Sequence, residues 1–250
     1  MRSYLNKRGR FPMLLTGLVT AFITAAVAVA ALLPTRAAAA GNELLLDGIR
    51  LDDAKVIRTG LLRGADPNAV DPNYGPLLVS AALQKSFAAL RALLESPETK
   101  VDALNVRGES ALMMAALHGN LEIVKLLVAK GAEINKTGWT PLHYAASNGH
   151  LEVVKHLIEN HAFVDAASPN NTTPLMMAAR QTQVQVARLL VEEGADPTQR
   201  NEAGLTVSAY FKRHGDDDQA KWFADKAREF EAKYGTVDKP KLVAPSEPAK

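Results

Sequence analysis

The sequence contains no cysteine. Disulfide scaffolds, thiolate metal sites, cysteine nucleophiles and cysteine-linked lipid anchors are thereby excluded. Aromatic residues are scarce, 6% of 250, while Ala and Leu abound, a balance that favours closely packed helices. Charge of one sign is not in excess: the formal net charge is +2, too small for a surface built to neutralise a phosphate backbone. The chain has no nucleophile elbow, no HExxH, no phosphate loop and no dinucleotide fingerprint. We therefore expect no enzymatic activity, no cofactor and no nucleic-acid partner. Wholesale disorder is excluded too, because 47% hydrophobic and 22% charged residues lie in the ordinary globular range.

The first forty residues stand apart. Arg2, Lys7, Arg8, Arg10 and Arg36 face no acid in this segment, and Phe11 to Thr35 carries no charge. A basic start, an apolar run over Leu14–Leu33, the helix breaker Pro34 and the small residues Ala37 to Gly41 form the pattern of a secretory signal. Residues 1–40 are read as a signal peptide cleaved after Ala39 or Ala40. The alternative is an uncleaved inner-membrane anchor over residues 11–35, a run long enough to span a bilayer. Both readings place the remainder outside the cytoplasm, in the bacterial periplasm or secreted. That remainder holds 24 basic and 27 acidic residues, a net charge of −3.

Internal repetition dominates the rest of the chain. Thr140-Pro141-Leu142-His143-Tyr144-Ala145-Ala146 is echoed by Thr173-Pro174-Leu175-Met176-Met177-Ala178-Ala179 and by Ser110-Ala111-Leu112-Met113-Met114-Ala115-Ala116. Pro76-Leu77-Leu78-Val79-Ser80-Ala81 is an earlier copy, and Gly204-Leu205-Thr206-Val207 opens a decayed one. Taking Leu77, Leu112, Leu142 and Leu175 as equivalent gives spacings of 35, 30 and 33. A second block shares the period: Gly64-Ala65-Asp66-Pro67-Asn68, Gly131-Ala132-Glu133-Ile134-Asn135 and Gly194-Ala195-Asp196-Pro197. Thr140 and Thr173 are suited to cap a helix whose first turn accepts Pro141 and Pro174. Paired alanines let neighbouring helices approach closely. Gly149 and Gly119 can end the first helix in the left-handed region, and Gly131 and Gly194 the second. Leu151, Val154, Leu157 and Ile158 recur at helical spacing.

These blocks, in this order and near this period, resemble the ankyrin repeat family over roughly residues 44–215. The resemblance implies an all-α fold, an ankyrin-repeat α-solenoid of stacked helix-turn-helix units with β-turn fingers and a C-terminal capping helix. Residues 41–215 are assigned to about five repeats, the first and last degenerate. In the first copy Gly60 interrupts a helix and leaves the register open, and Lys212 in a paired-alanine position marks the last copy as terminal. Residues 216–235 form the capping helix, with Ala220, Phe223, Ala227, Phe230 and Tyr234 on one face. Residues 236–250, with Pro240, Pro245 and Pro248 and little to bury, are read as a disordered tail. The turn between Asn135 and Gly138 is about three residues short, so that finger should be blunt.

The resemblance gives His143 a structural role, its imidazole bonded to the backbone of a neighbouring turn. A metal site with His150, His156 or His161 is disfavoured because the spacings match no zinc motif. Asp216, Asp217 and Asp218 are read as helix capping, not as a calcium loop. The family pattern implies a concave protein-binding face. We place on it Val79, Met114, Tyr144, Met177 and Tyr210, an apolar stripe rimmed by Ser147, Asn148, Arg180, Gln181 and Arg213. The expected molecule is a monomeric, non-catalytic scaffold that binds a partner protein of unknown identity, with a membrane-anchored envelope scaffold or a secreted effector acting on host proteins as the alternatives.

Overall fold

The computed structural model describes residues 40–235. The expected signal peptide over 1–40, all but its last residue, the expected anchor over 11–35 and the expected tail over 236–250 lie outside the described residues. The described residues run through six helical hairpins. α1 (residues 40–50) pairs with α2 (Ala54–Leu62), and α3 (Leu77–Leu83) with α4 (Phe87–Leu93). α5 (Ala111–Leu117) pairs with α6 (Leu121–Ala129), α7 (Pro141–Ser147) with α8 (Leu151–Glu159), and α9 (Pro174–Arg180) with α10 (Val184–Glu192). The last pair is α11 (Val207–Arg213) and α12 (Asp217–Tyr234). Among the described residues the only strands are β1 (Val70–Asp71) and β2 (Gly75–Pro76), an antiparallel ribbon in the first finger with Val70 opposite Pro76. No described helix is long and apolar enough to cross a membrane.

The first helices stack on one another in a row, α3 on α5, α5 on α7, α7 on α9 and α9 on α11. Short side chains set this closeness: Ala115, Ala116, Ala145, Ala146, Ala178 and Ala179 are all fully buried. The second helices contribute a bulkier layer, with Leu90, Leu93, Ile123, Leu127, Leu157 and Leu190 at zero exposure. No single hairpin could bury such a face alone, so the stack itself makes the core.

Each inner helix from α5 to α11 begins at a hydroxyl. The side chains of Ser110, Thr173 and Thr206 accept the backbone N–H of Met113, Met176 and Ala209 at 3.3 Å. This satisfies donors that a helix start would otherwise leave unpaired. Each hairpin after the first then turns through one residue with positive φ: Lys85, Gly119, Gly149, Thr182 and Gly215, between 56° and 75°.

That shared conformation corrects the register of the second copy. With Lys85 aligned to Gly119 and Gly149, Leu78 is the equivalent of Leu112, Leu142 and Leu175, not Leu77. Val79 then shares the register of His143, and Ser80 that of Tyr144. A lysine in the left-handed region concealed the alignment, because glycine is the usual signal there.

Two further expectations change. Gly60 does not break its helix; it is buried inside α2, and a Cβ there would lie 2.8 Å from Leu45 Cδ2. Gly41 and Gly48 are equally tight, against Ala65 and Ile57 at 2.9 and 2.7 Å. Glycine thus lets α1 and α2 approach each other. The apolar face of α12 is buried only in its first half: Ala220 and Phe223 are buried, whereas Tyr234 is 59% exposed. α12 packs on α11 as its hairpin partner.

Two ladders of hydrogen bonds tie the repeats together. Along the turns, His118 Nε2 donates to Leu83 O at 3.2 Å, Asn148 Nδ2 to Leu117 O at 2.8 Å, and His214 Nε2 to Arg180 O at 3.0 Å. After the outer helices, Asn68, Asp102, Asn135 and Asp165 accept the backbone N–H of Lys100, Glu133, Phe163 and Asp196 at 2.7–3.1 Å. Each bond joins one repeat to the next, one repeat length apart.

Candidate protein-binding groove

The fingers and the inner helices bound one long face. Three fingers close alike: the N–H of Asn105, Ser168 and Asn201 donates to the carbonyl of Glu109, Thr172 and Leu205 at 3.0–3.2 Å. The finger between Asn135 and Gly138 has no such room, and Trp139 comes directly after it. Trp139 packs edge-on to His143, with ring centroids 5.2 Å apart and planes at 75°.

His143 is 1% exposed. Its Nδ1 accepts from Thr140 N at 3.2 Å and lies 2.9 Å from Thr140 Oγ1, while Nε2 lies 2.9 Å from Thr172 O. A backbone N–H can only donate and a carbonyl only accept, so the ring is the neutral Nε2–H tautomer. Burial pushes its pKa down to about 4, against the opposing pull of the Thr172 carbonyl. His143 therefore fixes the start of α7 to the next finger and offers no free nitrogen to a ligand.

Tyr144 reaches back across the seam between α5 and α7. Its hydroxyl donates to Glu109 Oε1 at 3.1 Å, and burial, together with that carboxylate, pushes its pKa up to about 12. Burial would raise the Glu109 pKa, but hydrogen bonds from Asn105, Arg107 and Tyr144 prevail and hold it below the usual carboxylate range. Tyr210 is held similarly, its hydroxyl accepting from Asn201 Nδ2 at 2.8 Å.

The expected stripe is only partly present. Val79 is fully buried and Met114 is 1% exposed, so both fill the seam between inner helices and neither faces a partner. For Val79 the cause is the one-residue register change; its place in the stripe falls to Ser80, also buried, whose hydroxyl donates to Asp71 at 2.9 Å. Tyr144, Met177 and Tyr210 are half-buried and do reach the surface. Of the rim, Ser147 is half-buried, and Asn148, Arg180, Gln181 and Arg213 are exposed.

Leu117, Trp139, Tyr144, Ser147 and Met177 surround a shallow recess of about 220 Å³, with His143 at its base. Sequence reasoning missed Leu117 and Trp139. Leu117 directly follows the paired alanines, and Trp139 directly precedes the helix cap. Leu117 shares the register of Ser147 and Arg180, so the rim pattern carried a signal for it; Trp139 shares that of Thr172, which is buried, so the repeat pattern carried none. Among the described residues, no group of three His, Cys, Asp or Glu could hold a metal ion.

A solenoid of capped helical hairpins with finger turns and a groove along its inner helices is a repeat scaffold. The ankyrin repeat model, three copies long, matches residues 45–138 and 134–201, and the chain belongs to the ankyrin repeat family. Arrays of this family are protein-interaction modules, typically non-catalytic. The chain is 31% identical over 173 residues to the Nuclear factor NF-kappa-B p105 subunit of Gallus gallus, covering 66% of this chain and 18% of that protein. It is 34% identical over 145 residues to the p105 subunit of Mus musculus, covering 55% and 15%. It is 37% identical over 70 residues to Ankyrin repeat and SAM domain-containing protein 6 of Danio rerio, covering 28% and 10%. The chain thus spans less than a fifth of the length of these relatives.

Proposed function

We propose that the chain is an extracytoplasmic scaffold that holds a partner protein in the groove running from its third hairpin to its last. The carrying observation is the recess of Leu117, Trp139, Tyr144 and Met177, an exposed apolar hollow with a polar rim. Aromatic side chains anchor a partner at little entropic cost, and Met adapts to varied shapes. A rigid stack also needs little ordering on association. The extracytoplasmic address rests on the basic, apolar and small-residue succession of residues 2–41. Gly41, the first buried residue described, packs against Ala65, so processing after Ala39 or Ala40 removes none of the buried residues described. The uncharged run from Phe11 to Thr35 favours a second reading, a membrane-tethered scaffold. N-terminal sequencing of the mature protein separates them: a start at Ala40 or Gly41 removes the tether.

The binding reading is tested by affinity capture from envelope extracts, with mass spectrometry to identify the captured protein. The double variant Tyr144→Ala with Met177→Ala should lose that protein by at least about tenfold. If the partner is retained while the unfolding midpoint drops, these side chains are packing alone and the groove is not the binding face.

A further inference from the structure

We propose that the groove is built for an acidic segment of a protein partner, with an apolar side chain seated in the recess. This rests on the binding reading above and names the partner's chemistry. The observation is an uneven division of charge along each repeat. The finger, inner-helix and turn segments, residues 70–86, 104–120, 135–150, 166–183 and 199–215, carry seven Lys or Arg and three Asp or Glu. The remaining described residues carry 14 basic and 22 acidic residues. A chain whose described part is net negative thus has a groove side of +4 against −8 elsewhere.

The few acids on the groove side are already engaged. Asp71 is buried and accepts from Ser80. Glu109 is 14% exposed and paired with Arg107 at 2.9 Å. Only Glu202, on the last finger, is exposed. The cations are not spent in this way. Lys85, Arg180 and Arg213 lie exposed at the ends of three inner helices, and among the described residues no acidic side chain lies within ion-pair distance of any of the three. Most ion pairs fall on the outer helices, as in Arg91 with Glu122 and Lys155 with Glu152. On the finger side Arg107, 64% exposed, is already paired with Glu109, and the cation left over is Lys136, beside Gly108. The apolar recess therefore sits between Lys136 on the finger side and Arg180 on the turn side.

Complementary charge of this kind selects partners and steers their approach. A nucleic acid would also meet cations, but the recess takes one apolar side chain, and the cations are few and a repeat apart. A phosphate backbone asks for a denser row.

The test uses the purified full chain and fluorescein-labelled peptides read by anisotropy. The first has a central Leu-Phe pair flanked by runs of Asp and Glu. It should bind at least about tenfold more tightly than the same peptide with Lys flanks, or than one with a Gly-Ser centre. Its affinity should fall severalfold as NaCl rises from about 0.05 M to about 0.3 M. Arg180→Glu with Arg213→Glu should weaken it by about tenfold, with the circular dichroism unchanged; Arg180→Gln with Arg213→Gln serves if the first pair disturbs folding. Equal binding of the Lys-flanked or Gly-Ser peptide, equal binding of an oligothymidylate of matched charge, or no binding of the acidic peptide overturns the inference. Loss of capture by the Tyr144 and Met177 variant alongside any of these results leaves the groove reading standing and removes only the acidic partner.

Discussion

The fourth hairpin and the sixth share one plan and fill their seams differently. In the fourth, α7 meets its neighbours through Ala145 and Ala146, and little side-chain volume separates the helices. In the sixth, the corresponding pair is Phe211 and Lys212. Phe211 is fully buried and stacks on Phe223 at 4.9 Å with planes 5° apart, and Trp222 meets Phe223 edge-on at 4.7 Å. Arg188 of α10 lies over the Trp222 ring at 4.7 Å. An inner hairpin has a neighbour on both sides and needs small residues. Among the described residues the last one has no neighbour on its far side, and aromatic volume from its own second helix closes the core while Lys212 faces solvent. Helical stacking is one-dimensional, and each end must supply for itself what a middle repeat takes from its neighbours.

The comparison is broken most severely at its aromatic end. Phe211→Ala removes a fully buried ring and should cost about 3–5 kcal/mol. Because the contacts of α11 are local, the loss should fall on the last hairpin. Hydrogen exchange would show α11 and α12 opening while α5 to α8 keep their protection. Uniform loss of protection across all six hairpins would mean that the stack unfolds as one unit and that the ends are not separately closed.

The fourth hairpin carries a feature that the sixth lacks, the neutral His143. Its folded pKa of about 4 lies below the ordinary value of 6.5. Above pH 6.5 neither state is protonated, and the contribution is fully present. As pH falls from 6.5 towards 4, the unfolded chain takes up a proton that the folded one refuses, and stability is lost. Between pH 7.5 and 4.5 the loss from this group is on the order of 2–3 kcal/mol. His143→Gln should be less stable than the wild type at pH 7.5 by about 1–3 kcal/mol. The gap should close as pH falls, measured by urea unfolding at each pH. A constant gap would show that the imidazole does not titrate on unfolding.

Much of this was legible from residue order. Thr140-Pro141 and Thr173-Pro174 mark helix starts, and Gly119 and Gly149 mark turns, because each type meets a backbone need that few others meet. The second copy was less legible because Leu77 and Leu78 are both apolar, and Lys85 hides the turn that would choose between them. Gly60 reads as a helix breaker in isolation; only the approach of Leu45 from α1 shows why a side chain is unwelcome there. The groove was legible at its rim and not at its centre. Burial of Met114 and the place of Trp139 at the recess depend on how neighbouring hairpins meet, which no local pattern encodes.

The smallest expected effect concerns the bonds that fasten one hairpin to the next. Asn135 accepts the N–H of Phe163 at 2.8 Å and donates to His161 O at 2.8 Å, so one half-buried side chain joins the third hairpin to the fourth. The corresponding position after the fifth hairpin is Thr198, whose hydroxyl turns inward to Asp196 at 2.6 Å. Asn135→Ala should therefore cost about 1 kcal/mol, the ordinary net worth of an accessible hydrogen-bond pair. Thr198→Ala should cost about 0.5 kcal/mol or less and leave the coupling between hairpins unchanged. Because interfaces propagate stability along the stack, Asn135→Ala should also broaden the urea transition, as the two halves of the array begin to unfold separately. A shift of the midpoint with an unchanged slope would place the bond's effect within a single cooperative unit and deny it any role in coupling.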